Sequence, residues 1–385
     1  MTQVETSPAA SIVADPVATY IFKGTLTAEQ PLATASADLI ARERTDSSKP
    51  SPIPTTMLND GVHLMFPSTG LRGKLRRAAR DVVREAIIKK TGNNHPFSLD
   101  EHYLLTLGGI KQSAEQQRSS ISHEVKWRKA NPLLSVFGSG DAGFLGFLQG
   151  RLSVGNAIAK ENIDSTPAVV VGSGARTDDF YRDRAQVQYL TEEDVSALIG
   201  RADGGRIRSQ LQLQIKNKEK EWKKAVRQAK TTQAAEDIEV AAALQKEIDA
   251  LNEEVKKVKE DTGTTDVSIG RPLPGWKAIP QGTQMDHRMI ATNLSLVELG
   301  LVIRSIQHMG LRDPRIGGHI ANGCGEISAS WEVFKVTEEG KKSVGFVKVE
   351  PWDLSNIPEG DLSESVRAFD AFMASDAPNF SIPQA

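Results

Sequence analysis

Between Arg206 and Thr262 the chain has no proline, and glycine returns only at Gly263. Within that run Leu244, Ile248, Leu251, Val255 and Val258 alternate spacings of four and three, the apolar seam of a coiled coil. Charge divides the run in two. Residues 206–230 carry nine basic and two acidic side chains, and residues 231–262 four basic and nine acidic. Two antiparallel helices of opposite charge, turning near Thr231 and Thr232, satisfy both patterns. Each would reach about 35–40 Å at 1.5 Å per residue. A sheet cannot run through such a segment, so it reads as an inserted helical arm and any sheet must come from the chain on either side.

The flanks supply the strands. Residues 19–28 (TYIFKGTLTA) alternate apolar and polar, as a half-buried strand does. Residues 34–57, rich in Ser, Thr, Pro and charge, read as a long loop, and a short strand at 63–66 follows. Leu71, Leu75, Ala78, Val82 and Ala86 then mark one face of a helix, with Arg72, Arg76, Arg80 and Arg84 on a neighbouring face. Residues 91–131 are polar and partly helical, anchored at Leu104, Leu105, Val125 and Trp127. Asn131 and Pro132 open a short helix ending at Phe137. A glycine-rich stretch, 138–150, runs into a strand-like 150–158. Residues 166–189 place two strands about Gly172-Ser173-Gly174, or one strand and an irregular arm.

Beyond the arm, residues 276–294 are strand-like, and 296–309 form an amphipathic helix with Val297, Leu301 and Ile306 inward. A glycine loop spans 314–325 (PRIGGHIANGCG), and residues 326–336 and 343–349 pair as a terminal hairpin. With the arm left out, the order is strand, helix, strands, helix, strands. Two split β-α-β halves of this kind give an α+β, ferredoxin-like, RNA-recognition-type core assembled from both ends of the chain. Residues 1–17 and the tail, 373–385, are small, polar and proline-containing, and read as disordered and flexible.

Charge points to function. Residues 71–90 hold eight Lys/Arg against Asp81 and Glu85, a local +6 in a chain of net charge −2. A near-neutral total is unusual for a free nucleic-acid binder, so such binding must rest on a patch. The stretch F-P-S-T-G-L-R-G-K-L-R-R, residues 66–77, leads small turn residues into the basic helix. A helix N-terminus with unpaired N–H groups beside Arg72, Lys74, Arg76 and Arg77 suits a phosphate chain. The loop G-G-H-I-A-N-G-C-G, residues 317–325, lacks the Lys-Ser/Thr of a P-loop and follows a helix instead of opening one, which argues against a mononucleotide site. A lone Cys324 excludes an intramolecular disulfide framework and a multi-cysteine zinc site. No His spacing suits a metal, so neither metal nor cofactor is expected. Residues 1–18 lack the basic start and apolar core of a signal peptide, and no apolar run approaches a membrane span. A cytoplasmic protein without membrane contact is expected.

The P-S-T-G-L-R-G-K-L-R run resembles the P-G-S-S-L-[KR]-G-x-x-R signature of the repeat-associated (RAMP) superfamily of CRISPR-Cas proteins. Pro67, Leu71, Arg72, Gly73 and Arg76 fall on the signature, and Ser68-Thr69-Gly70 permutes its small triplet. The family also carries a glycine loop near its C-terminal end, matched here at Gly317, Gly318, His319, Gly323 and Gly325. The match is to the backbone subunits that polymerise along a guide RNA, and arrangement and length are most like the type IV subfamily.

The resemblance implies a right-hand shape. It makes residues 18–90, 132–165 and 263–372 the palm, 91–131 the fingers, 166–205 the region of a β-hairpin thumb, and 206–262 a helical insertion. Arg176, Thr177, Phe180, Tyr181 and Arg182 sit where a thumb would fall. It implies guide-RNA contacts from Ser68, Thr69, Gly70, Arg72, Gly73, Lys74, Arg76, Arg77, Arg80, Arg176, Thr177 and the glycine loop. The low aromatic content agrees with gripping the sugar-phosphate chain and leaving bases free to pair. Implied partners are the CRISPR guide RNA, further copies in a filament, complementary target nucleic acid, a 5′-cap subunit, a large subunit, a guide-processing endonuclease and a helicase. A non-catalytic scaffold is the expectation. The alternative is a type III-like metal-dependent RNA endonuclease using a loop aspartate, with Asp38, Asp46 and Asp60 as candidates and Asp46 nearest in spacing. A coiled-coil adaptor without RNA would leave the basic helix and glycine loop unexplained.

Overall fold

The alternation at the start of the chain becomes β1 (Ala18–Ala28), where Phe22, Leu26 and Ala28 are fully buried. The computed structural model describes residues 17–34, 50, 52–93, 97–109, 121–140, 148–175, 184–232, 234–261, 272–273, 275–357 and 359–380. After β1 come β2 (Leu32–Ala33), β3 (Thr55–Leu58), β4 (Gly61–Phe66) and α1 (Ser68–Thr91). Three shorter helices follow, α2 (Leu99–Leu107), α3 (Ile121–Ala130) and α4 (Pro132–Phe137), then β5 (Leu152–Val154), β6 (Ala157–Asn162) and β7 (Val169–Val171). The chain divides into two compact units, residues 1–173 with 274–385, and residues 174–273.

The first unit is completed by β10 (Trp276–Ile279), β11 (Gln284–Leu294), α7 (Leu296–Arg312), β12 (Ile327–Thr337), β13 (Gly340–Val349) and α8 (Asp361–Ala374). Among the described residues its main sheet has eight strands in the order β13-β12-β1-β11-β6-β4-β3, with β5 also pairing β11. Every pairing is antiparallel. Taking β1, β6, β11 and β12 as strands 1 to 4, the central order is 4-1-3-2. With α1 between the first two and α7 joining the last two, this is the split β-α-β core expected from the two ends of the chain. A smaller sheet, β2-β10-β7, flanks it.

Local chemistry sets the elements. Ser295 and Glu298 cap α7 reciprocally in a capping box, and Leu299, Leu301, Val302, Ile303 and Ile306 fill the core, with Val297 half-buried beside them. A Cβ on Gly300 would stand 2.1 Å from Ser365 O, so the α7 and α8 backbones meet directly. Asn131 accepts from Leu134 N–H and Pro132 opens α4, as expected. Leu104, Leu105 and Trp127 are buried anchors. Among the described residues 166–175 no hairpin forms about Gly172: β7 pairs β10, and Gly172 takes φ +66°.

The second unit holds β8 (Gly174–Ala175), α5 (Glu192–Thr232), α6 (Ala235–Asp261) and β9 (Pro272–Leu273), with β8 paired to β9. Helix α5 starts well before Arg206. Thr191 Oγ1 accepts from Asp194 N–H at 3.2 Å, and Glu192, Glu193 and Asp194 occupy the first turn, where the helix dipole favours them. The heptad seam is present: Leu244, Ile248, Leu251, Val255 and Val258 are among the least exposed residues of α6, and Lys218 bridges to Glu247 at 2.7 Å.

Candidate nucleic-acid interface

The signature segment is the first turn of a helix. Pro67 is the N-cap of α1, with φ −66° and ψ 140°, so Ser68, Thr69 and Gly70 belong to the helix and not to a turn before it. The Ser68 N–H donates to Asn156 Oδ1 at 2.8 Å, tying the helix start to the bend between β5 and β6. Glycine is favoured at position 70 because the Phe66 ring lies beneath: a Cβ there would stand 2.9 Å from Phe66 Cε1.

The other edge of the same ring meets the glycine loop. A Cβ on Gly317 would lie 3.2 Å from Phe66 Cε2 and 2.4 Å from Ala33 O, and Gly317 has φ +81°, open to glycine at little cost. Gly318 N–H donates to Ala33 O at 2.8 Å and Gly325 N–H to Pro31 O at 3.0 Å. Two motifs 247 residues apart (Gly70 to Gly317) thus clasp one buried phenylalanine.

A second link joins them. Lys74 Nζ donates to Asp313 Oδ2 at 2.7 Å, and Arg315 Nε to Asp313 Oδ1 at 2.6 Å. Burial pushes the Asp313 carboxyl up, but hydrogen bonds from Lys74 and Arg315, and then their charges, outweigh it and hold the group below the usual carboxylate range. The Arg315 guanidinium lies 5.4 Å from the Trp352 ring centre, within cation–π reach. His319, at φ 59°, stacks on Trp276 with centroids 3.4 Å apart and planes 7° off parallel. Burial lowers its pKa. Thr69, Arg77, Gly317, His319 and Gly323 are exposed, and Ser68, Gly70, Gly73 and Gly318 are half-buried.

Arg72 and Arg76 turn inward. Arg76 is 4% exposed and donates to the carbonyls of Leu104, Leu105, Phe137 and Gly138 at 2.6–3.2 Å, closing the C-terminal ends of α2 and α4. Burial, then the neighbouring Arg72 charge, pulls its pKa down to about 9. The expected phosphate contact from Arg76 is therefore revised: its guanidinium is spent on protein carbonyls. Arg72 donates to Phe137 O at 2.6 Å, and burial lowers its pKa. It remains half-exposed and, with Arg128 and Arg151, lines an open cavity of about 790 Å³ beside Gly138 and Gly150. Arg80 pairs with Asp81 at 2.7 Å.

Arg176, Thr177, Phe180, Tyr181 and Arg182 lie outside the described residues, as do Asp38 and Asp46. Asp60, in the β3–β4 turn, has a histidine partner that the sequence pattern did not suggest. Its carboxylate meets His63 Nε2 at 2.9 Å, and His63 Nδ1 meets Ala159 O at 2.8 Å. That arrangement ties the β3–β4 hairpin to β6. Sequence reasoning also missed Asp313, Arg315, Trp276 and Trp352, whose roles depend on chain crossings that no local pattern signals.

No family model matches this chain, and no curated protein matches it. Among solved structures, a chain described as "Type IV-B CRISPR Complex" superposes with a TM-score of 0.39 and 9% identity, over 89% of this chain and 96% of that one. That likeness is too loose to assign a shared role.

Proposed function

We propose that this chain is a non-catalytic backbone subunit of a CRISPR-Cas effector complex. It binds guide RNA through its phosphates, polymerises head-to-tail along it and presents bases for target pairing. The observation that carries the reading is the Phe66 clasp, which brings the basic start of α1 and the C-terminal glycine loop side by side. Arg77 is exposed on α1 with its guanidinium beside Gly73, Arg315 is half-exposed where the chain enters the glycine loop, and glycine bares the backbone there, a combination suited to a sugar-phosphate chain. The His319–Trp276 stack adds an aromatic surface at the loop.

Purification from a heterologous host tests this directly. The protein should carry nucleic acid, with an absorbance ratio far above that of bare protein. Charge reversal at Arg77 and Arg315 should weaken RNA binding and flatten its salt dependence by about 0.7 per lost contact. Clean, RNA-free protein indifferent to added RNA would sink the proposal. Cleavage of a complementary labelled RNA by guide-loaded protein with Mg²⁺ would replace it with the endonuclease alternative.

A further inference from the structure

We propose that the face of α5 turned away from α6 binds the phosphate backbone of a nucleic acid. On α5 the less exposed positions Leu211, Ile215, Lys218, Trp222, Ala225 and Ala229 step by four and three along the seam with α6. Lys216, Lys220, Lys223, Arg227 and Lys230 step by the same intervals, and all five are exposed. At 3.6 residues per turn they form one straight stripe opposite the seam, about 21 Å long.

The stripe is not a by-product of hairpin closure. Closure uses other residues: Lys218 with Glu247 at 2.7 Å, and Gln228 with Asp237 at 3.2 Å. Among the described residues none of the five stripe cations makes an ion pair, although Glu219 and Glu221 lie between them in the sequence. Each instead has a like charge three or four residues away, an arrangement that disfavours an isolated helix. Glu219 stands at one margin and Lys224 at the other. A solvated face built for solubility would mix its signs.

The occupant follows from the pattern. Between Lys216 and Lys230 no apolar or aromatic residue interrupts the stripe, and a single Leu213 at its N-terminal end is a poor match for the clustered anchors that hold a protein partner. Evenly spaced cations match a ligand with evenly spaced anions, and neutralising them releases counterions. This inference does not rest on the function proposed for the glycine-loop region.

The test uses the full-length protein, stripped of carried-over nucleic acid at high salt, with all five stripe residues changed to Gln. The probes are a mixed-sequence single-stranded RNA and a mixed-sequence duplex DNA. Binding at low salt should fall at least about tenfold on the probe the arm contacts. The slope of log affinity against log salt should fall by about 3–4 for the single strand or 4–5 for the duplex. The probe affected identifies which of the two ligands the arm contacts. A variant changing only Lys216, Lys223 and Lys230 should lose about half as much, and replacing the four stripe lysines with Arg should lose nothing. Unchanged affinity and slope on both probes would overturn the proposal, as would wild-type protein that binds neither. Charge reversal at Arg77 and Arg315, measured in parallel, separates failure here from failure of the glycine-loop reading.

Discussion

Arg76 and Arg77 are one residue apart on α1, and the helix turns them about 100° from each other. Arg76 thereby reaches four carbonyl oxygens at the ends of α2 and α4, while Arg77 faces solvent. Shortening Arg76 to Met would take that donor from Leu105 O and Gly138 O, while Phe137 O keeps Arg72 and Leu104 O keeps the Gly108 N–H. A loss of about 3 kcal/mol is expected, read as a lowered denaturation midpoint. Arg77→Glu should move stability by less than about 0.5 kcal/mol while weakening RNA binding. Equal stability losses in the two variants would contradict this division. His287 gives a residue-scale prediction of another kind. Trp331 Nε1 donates to its Nδ1 at 3.0 Å, which leaves Nε2 to donate to Gly155 O at 3.1 Å. Burial pulls its pKa down to about 4, against a smaller opposing push from the Gly155 bond. The unfolded chain therefore binds this proton first. Stability should be complete above about pH 6.5 and fall as pH drops toward 4, by on the order of 3 kcal/mol. In His287→Leu, less stable at neutral pH, that acid limb should flatten; an unchanged limb would assign it to other groups.

At the scale of elements, what could be read beforehand was what the chain states locally. The α6 heptad, the Asn131-Pro132 helix start and the alternation of β1 were legible because each depends on neighbours a few residues away. Helix α8 is equally stated, with Leu362, Val366, Phe369 and Met373 at helical spacing and all buried, but no N-cap side chain marks its start at Gly360. The start of α1 was misplaced for a physical reason. Pro-Ser-Thr-Gly looks like a turn until Phe66 is seen beneath Gly70, and then that glycine is a packing requirement of the helix itself. The same ring explains Gly317, and no local pattern in the glycine loop names a partner near residue 66. Gly317→Ala should therefore be more damaging than a loop mutation ordinarily is. Its Cβ would meet Ala33 O at 2.4 Å, at a backbone angle that suits glycine alone, and a loss of about 1–3 kcal/mol is expected. Gly323→Ala shares the positive φ but meets nothing within 4 Å, so it should cost less. A thermal denaturation series that ranked them the other way would refute the clasp.

For the whole molecule, the proposed function makes a demand that no single site does. The two outer strands of the main sheet differ: β13 exposes Lys341, Lys342 and Lys348 beside Phe346, whereas β3 exposes Met57 and Leu58 and carries no charge. Lysines along an edge discourage pairing with a like edge, so a self-complementary dimer through β13 is disfavoured. Unlike surfaces instead suit a heterologous contact, which continues into an open helix until something stops it. If RNA is the stop, copy number follows its length. Light scattering of the purified protein with guides of graded length should give masses that rise in whole-subunit steps. RNA-free protein should stay monomeric, because the contacts between copies must be too weak to assemble without the shared strand. Arg77→Glu with Arg315→Glu should shift the steps to higher protein concentration without changing their height, since the strand is gripped less while each copy still covers the same length. A fixed mass whatever the guide would show a closed oligomer and defeat the filament, even if RNA binding itself survived.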